Sequence, residues 1–393
     1  MLQLRFSAGA FLALAGLAAS QDCSTLPTTI TYAGHPLKLP DPFTFLNGTP
    51  VKTLSDWSCR RAEISSLLQR YELGPLPAGT PTVAATLTSN RLAITITAGT
   101  RSITITPTIR LPSSGSAPFP AVIALGGSPS LPIPSSVAVI SYNNEEIAAT
   151  DPRGRGKFFD LYGTTTKTGG LLAWSWGVSR ILDALELLGP SVTKIDTSRI
   201  GVTGCSRNGK GAMVAGAFDT RIALTLPQEG GTGAMGCWRI VGEMKRNGSK
   251  TEDAAQIVTG DQWFATEFEK YTDESGLAKL PFDHHLLAGM VAPRGLLVVE
   301  NSGIEYLAPP SAVGCASAGR MVFEGLGAKG NMGFSQAAHG SSHCRLPAAL
   351  EGDVRAFVDR FLLKGEAKEV WRVDSAVRVD VGRYVDWKVV KLG

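Results

Sequence analysis

Residues 202–211 read VTGCSRNGKG, and the fold depends on which of two motifs this stretch belongs to. From Gly204 it runs G-x-x-x-x-G-K, a phosphate-cradling P-loop except at its last position, where Gly211 stands in place of Ser or Thr. From the same Gly204 it also runs G-x-S, the front half of the sharp strand-to-helix turn that exposes a nucleophilic serine, here Ser206. A P-loop needs the missing hydroxyl to ligate magnesium, which weighs against phosphate. The nucleophile turn is usually closed by glycine two residues after the serine. Here Asn208 takes that place and Gly209 follows one later. Asn tolerates unusual backbone angles, so the turn is possible at this spacing.

Outward from this stretch the chain alternates buried strands and helices. Directly before it, RIGVTGCS reads as a buried strand running into the motif, and LLAWSWGVSRILDALELL ahead of that has helical periodicity. PAVIALGG and VAVISYN are apolar, β-branched runs of the kind found in a sheet covered on both faces. IALTLPQE, GLLVVEN and the helix VRAFVDRFLL continue the alternation, which implies a mainly parallel sheet. TVAATLT, LAITITA and SITITPTIRL near the N-terminus alternate like antiparallel strands. In such α/β sheets chemistry sits at the C-terminal ends of the strands, where Ser206 falls.

The N-terminal MLQLRFSAGAFLALAGLAAS has Arg5, then an apolar stretch from Phe6 to Ala19, then small residues suited to cleavage before Gln21. It reads as a secretory signal peptide over residues 1–20, shorter than the ~20 apolar residues of a membrane anchor. Removing it lowers the formal charge from +4 to +3, because Arg5 is the only charge in it. No Lys/Arg block suggests nucleic acid, and a modest basic balance reads as a solvated surface. With 44% hydrophobic residues and no Pro/Ser-rich linker, residues 21–393 are expected to form a single domain. Six cysteines in a secreted chain favour disulfides over metal sites, and no metal-ligand spacing is present. Asn47 and Asn247 head N-glycosylation sequons.

A serine nucleophile needs a base and the base needs an acid, in the chain order Ser, acid, His for this kind of turn. After Ser206 the histidines are His284, His285, His339 and His343. The first two precede GLLVVEN, too early for the base loop, which leaves AAHGSSHC before the final helix. Glu229 and Glu300 each end a buried strand, and local pattern does not separate them as the acid.

VTGCSRNGKGA, LPQEGGTGAMGCWR, DHHLLAGMVAPRGL, NMGFS and SHC resemble the fungal glucuronoyl esterases, secreted α/β-hydrolases with a G-C-S-R-x-G-K motif. The resemblance extends from DPFTFLNGTPV and CRRAEISSLLQRYELGPLP through RGRGKFFDLYG to FVDRFLL. It implies an α/β-hydrolase, a mainly parallel sheet in a three-layer sandwich with an antiparallel N-terminal part. It further implies hydrolysis of esters between 4-O-methyl-D-glucuronic acid of glucuronoxylan and lignin alcohols. By the same resemblance Ser206 is the nucleophile, Glu229 the acid and His343, directly before Cys344, the base, with His339 left as a loop residue. Arg207 would face the oxyanion, and Lys210, one helical turn after Ser206, would bond sugar hydroxyls. The implied disulfides are Cys205 to Cys344, Cys23 to Cys59 and Cys237 to Cys315. The first would close a loop of about 140 residues, worth on the order of 4 to 5 kcal/mol in the chain-entropy model.

Three positions depart from the family pattern. Glu252 stands where a Gln is usual, and Asp261 lies beside the position of a usual Glu, both for sugar contacts. Tyr306, in NSGIEYLAPP, stands where the family has a substrate-facing Trp. The base loop HGSSHC is longer than the usual G-H-N-H-C, and no cellulose-binding module is present in the sequence. We expect a secreted, extracellular monomer acting on glucuronoxylan and lignin-carbohydrate esters, needing no metal or cofactor and having no nucleic-acid or membrane partner. Another cell-wall esterase, acting on acetylxylan or feruloyl esters, is the alternative on the same fold, since fold does not fix substrate. A non-catalytic carbohydrate-binding relative is the other.

Overall fold

The computed structural model describes residue 23 and residues 25–393, so the leader expected at residues 1–20 lies outside the described residues. Eleven strands form one sheet: β1 Thr82–Thr88, β2 Arg91–Ala98, β3 Arg101–Ile105, β4 Thr108–Arg110, β5 Phe119–Leu125, β6 Ala138–Tyr142, β7 Ile195–Cys205, β8 Ile222–Gln228, β9 Gly295–Asn301, β10 Met332–Ala337 and β11 Trp371–Arg372. Their order is β1-β2-β4-β6-β5-β7-β8-β9-β10-β11, with β3 paired to β2. Pairing is antiparallel from β1 to the β4–β6 ladder and parallel from β6 to β11. The stretch SITITPTIRL, expected as one strand, is two, because Pro107 has no N–H to give a ladder and falls between β3 and β4.

The helices that cover the sheet are α1 Leu54–Leu68, α2 Gly170–Leu188, α3 Arg207–Phe218, α4 Trp238–Arg246, α5 Ala254–Gly260, α6 His284–Val291, α7 Pro309–Gly325 and α8 Ala348–Leu362. Strand side chains alternate between the two faces, and so do the two cores. Ala121, Ile123 and Leu125 of β5 pack in the core that includes α2, α3, α6 and α7. Val122 between them faces the other core with Leu224, Leu226, Leu297 and Val299, under Val354, Phe357 and Val358 of α8. Both faces are therefore covered, giving three layers. Among the described residues no helix is long and apolar enough to cross a membrane.

The chain order reverses direction across the sheet at β5, with β6 on one side and β7 on the other. This crevice beside the C-terminal ends of β5 and β7 is where ligands gather in open α/β sheets. Helix α3 lies tightly against this centre. A Cβ at Gly211 would come within 2.7 Å of Leu125 Cδ2 and 2.9 Å of Trp174 Cε3. The glycine that spoils the P-loop spelling is thus demanded by helix packing, and no magnesium-binding hydroxyl fits there.

Replacing Gly211 by Ser would complete the P-loop motif on paper. We expect it instead to overpack the α2–α3–β5 contact at a cost of about 1–3 kcal/mol, lowering Tm without producing ATP binding. An unchanged Tm by differential scanning calorimetry would contradict this packing account.

Candidate active site

Ser206 joins β7 to α3 with φ 58° and ψ −128°, in the left-handed region that few non-glycine residues occupy. Its N–H donates to the Gln228 carbonyl at 3.0 Å, and its own carbonyl accepts the Lys210 N–H at 3.0 Å. Gly209 lets the turn close: a Cβ there would lie 2.6 Å from the Gln228 carbonyl oxygen. The small residue this turn requires is therefore at 209, one later than the usual motif. Asn208 fills the customary glycine place because its amide has partners. Asn144 Nδ2 donates to Asn208 Oδ1 at 3.0 Å, and Asn144 Oδ1 accepts the Gly126 N–H at 2.7 Å.

Glu229 follows β8 directly, fully buried, also with positive φ, at 46°. Its main-chain N–H donates to the Val299 carbonyl at 2.7 Å. Oε2 accepts the Cys344 N–H at 2.9 Å and lies 3.9 Å from His343 Nε2, beyond hydrogen-bond reach. Oε1 accepts from His339 Nε2 at 3.1 Å and from Gln228 Nε2 at 3.3 Å. The reading of His339 as a mere loop residue is corrected here. It does sit in the loop after β10, but its ring reaches the carboxylate because the long base loop folds back over the end of β8. His343 is exposed, and its ring nitrogen lies within 4.8 Å of both Cys205 Sγ and Cys344 Sγ. The bridge Cys205–Cys344 joins the residue before Ser206 to the residue after His343. Cys23–Cys59 and Cys237–Cys315 use the remaining cysteines.

Glu300, the other end-of-strand carboxylate, contacts neither histidine. It is buried, accepts among the described residues one long bond from the Gly231 N–H at 3.4 Å, and stands near Glu229. Burial, with the Glu229 charge adding to it, pushes its carboxyl up to about 8. The earlier histidines are structural. His284 bonds Glu72 Oε1 at 2.7 Å and the Ala234 carbonyl at 2.8 Å, and although burial opposes charge on the ring, the carboxylate raises its pKa. Burial lowers His285 to about 4.

Lys210, one turn after Ser206, is buried. Its ammonium donates to the Gly230 carbonyl at 2.8 Å, stands 3.9 Å from Glu252 Oε2 and lies 5.1 Å from the Trp263 ring centroid. Three N–H donors with one used leave two for a ligand. Burial lowers its pKa, opposed by Glu252, Glu300 and Asp261. Burial likewise raises the carboxyls of Glu252 and Asp261, with Lys210 opposing in both. Tyr306, half exposed, donates its hydroxyl to Glu252 Oε1. Arg207 is exposed, and its Nε donates to Glu145 Oε1 at 3.2 Å. Glu145 is fixed in turn by the Thr150 N–H and hydroxyl, at 2.8 and 2.6 Å. Sequence reasoning missed Glu145, Asn144, Trp263 and the role of His339. The NNEE run after VAVISY was the only local signal for the first two. Asn47 and Asn247 are both exposed.

The family model described as "Glucuronyl esterase, fungi" matches residues 94–327. The 4-O-methyl-glucuronoyl methylesterase of Hypocrea jecorina is 48% identical over 369 residues, spanning 93% of this chain and 78% of the relative. The solved glucuronoyl esterase catalytic domain from Hypocrea jecorina superposes with a TM-score of 0.89 at 46% identity, covering 94% of this chain and 100% of that one. A serine-to-alanine mutant of the glucuronoyl esterase from Sporotrichum thermophile, solved with methyl 4-O-methyl-β-D-glucopyranuronate, superposes with a TM-score of 0.88. It is 43% identical, with the same coverage.

The contrast between the two glutamates can be measured. A Glu300 carboxyl at about 8 in the fold and near 4.5 when unfolded keeps a proton that the unfolded chain has lost. Native stability should therefore fall as the pH rises from 4.5 to 8 and level off above that. Glu300→Gln should remove this component, raising Tm relative to the parent at pH 8 but not at pH 4.5. Ester turnover should fall far more in Glu229→Ala than in Glu300→Ala. A parent-like pH slope of Tm in Glu300→Gln, or the reverse activity ranking, would refute the assignment.

Proposed function

The chain belongs to the fungal glucuronoyl esterase family and is a carboxylic ester hydrolase of glucuronate esters, and from that premise we propose Ser206, His343 and Glu229 as its catalytic triad. One observation supports the triad most: a single disulfide, Cys205–Cys344, holds the left-handed Ser206 turn against the loop bearing His343, and Glu229 reaches that loop from the neighbouring strand. His343 takes the Ser206 proton as Oγ attacks the C6 carbonyl of the uronate ester, and Glu229 fixes the imidazole. The alcohol leaves with that proton. Water, deprotonated by His343, then attacks the acyl carbonyl, the bond to Ser206 Oγ breaks, Oγ takes that proton back from His343, and the uronic acid is released. His343 Nε2 lies 3.9 Å from Glu229 Oε2, and the hydrogen bonds of a catalytic base often tighten in the substrate complex.

Arg207 stabilises the oxyanion in this reading. In many folds of this type a second donor comes from the loop after the neighbouring strand, here β5. The first two N–H groups of that loop are already taken: the Gly126 N–H is bonded to Asn144 and the Gly127 N–H to the Ala124 carbonyl at 3.3 Å. Arg207 offers both the free N–H of the first residue of α3 and a guanidinium steered by Glu145. A fixed donor of this kind is worth roughly 3 kcal/mol. Lys210, Glu252, Asp261 and Tyr306 bind the sugar, with Trp263 beneath the Lys210 ammonium. The alcohol side is a lignin alcohol esterified to 4-O-methyl-glucuronic acid of glucuronoxylan, and the enzyme acts outside the cell as a monomer. Three disulfides and the leader-like N-terminus support secretion. Residues 21–393 act as one catalytic domain, supported by the continuous sheet that runs through them.

Ser206→Ala should fold as the parent does and lose at least about a thousandfold in turnover of benzyl 4-O-methyl-glucuronate. The parent should hydrolyse that ester in preference to acetylated xylan or a feruloyl ester. Parent-like turnover by folded Ser206→Ala ends the triad, and preference for either other ester moves the substrate to that class.

Tyr306 provides a second handle. It offers a smaller ring face than Trp and a hydroxyl already given to Glu252. We expect Tyr306→Trp to leave kcat within about tenfold while lowering KM for glucuronate esters, and Tyr306→Ala to raise KM, as for a contact made equally in ground and transition states. Kinetics unchanged in both variants would take Tyr306 out of the substrate site.

A further inference from the structure

The Glu229 carboxylate is contested by two histidines, and the geometry divides its oxygens between them. Oε2 faces the Cys344 N–H and His343, while Oε1 faces His339 and the Gln228 amide. A neutral imidazole has one N–H, yet both ring nitrogens of His339 meet acceptors: Nδ1 the Ala337 carbonyl at 3.0 Å and Nε2 the carboxylate at 3.1 Å. Both ring nitrogens of His339 are thus engaged, which fixes the plane of the ring against the carboxylate. His343, in contrast, makes no ring hydrogen bond among the described residues, and its Nε2 lies 3.9 Å from Oε2.

His339 is itself held firmly. Its main-chain N–H donates to Asn301 Oδ1 at 3.2 Å, and Asn301 Nδ2 donates to the Gly340 carbonyl at 3.0 Å, fastening the start of the base loop to the end of β9. A carboxylate torsion is broad and two-fold, so a buried glutamate that must present one chosen oxygen needs its other oxygen pinned. We propose that His339 is a positioning residue of the esterase, holding Oε1 of Glu229 so that Oε2 is presented to His343. This rests on the reading of Ser206, His343 and Glu229 as the triad.

The test is steady-state kinetics of the full secreted chain on benzyl 4-O-methyl-glucuronate, with Tm measured for each variant. His339→Ala should lower kcat about 10- to 100-fold with KM within about threefold, as for loss of orientation without loss of substrate contact. His339→Gln, whose amide can donate to Oε1, should recover most of that loss. His343→Ala should fall to the level of Ser206→Ala. A kcat within about twofold of the parent in His339→Ala, a change confined to KM, or a Gln variant no better than Ala would each overturn the proposal. If His339→Ala does not fold, His339→Gln decides: a folded Gln variant within about threefold of the parent kcat upholds the role, and one as inactive as Ser206→Ala overturns it. Parent-like activity in His343→Ala would instead bring down the triad itself, whatever the His339 variants do.

Discussion

The site is built around a turn that the backbone resists. Ser206 sits at φ 58° between a strand and a helix, a conformation that costs a non-glycine residue about 1–3 kcal/mol and persists only where its surroundings over-determine it. Those surroundings are specific. The Gln228 carbonyl takes the Ser206 N–H, the absence of a side chain at Gly209 lets the same carbonyl approach, and Asn144 clamps Asn208. Cys205 ties the turn to the far end of the chain through Cys344. Glu229 and Cys344 are also left-handed, at φ 46° and 66°. Three strained residues thus meet at one place, each locked by a bond to the segment bearing another. Release of any one would loosen the other two.

The same convergence decides which carboxylate can work. Glu229 and Glu300 end adjacent parallel strands, β8 and β9, and both are buried. Two nearby carboxylates in low dielectric cannot both ionise cheaply. The loop after β10 brings the Cys344 N–H and the His339 ring to Glu229, while Glu300 receives one long backbone donor. Donors converge on the first carboxylate, and burial disfavours the charged form of the second. The difference between two similar residues is made by a loop that arrives about forty positions later in the chain than Glu300.

That explains how far the sequence could be read. The strands read from apolar runs, the two helices LLAWSWGVSRILDALELL and VRAFVDRFLL and the strand-to-helix junction at Ser206 are local patterns and lie where they were expected, except that Pro107 divides SITITPTIRL. The proposed triad follows the chain order Ser, acid, His expected for this kind of turn. Which glutamate, and which of two histidines faces it, was not visible in residue patterns, because those contacts span 110 positions from Glu229 to His339 and 62 from Glu145 to Arg207. Trp263, whose ring lies under the Lys210 ammonium, carries no local signal of that placement. Gly211 was legible as a flaw in a P-loop, but its reason, the ring of Trp174, belongs to another helix.

The departures at Glu252 and Tyr306 become a single change once their contacts are traced. The Tyr306 hydroxyl donates to Glu252, the Glu252 N–H donates to the Tyr306 carbonyl at 3.2 Å, and the Thr251 hydroxyl reaches the same carbonyl at 3.3 Å. A Gln at 252 would carry its own donors. A Glu, once ionised, only accepts, and the phenol supplies what it lacks. With burial raising the Glu252 carboxyl and Lys210 opposing, the charge there is balanced between a cation 3.9 Å away and a neutral donor on its other oxygen. Replacing either member alone would leave the other without its partner. Glu252 and Tyr306 therefore act as a unit, which stitches the proposed sugar side of the site together between residues 251–252 and 306.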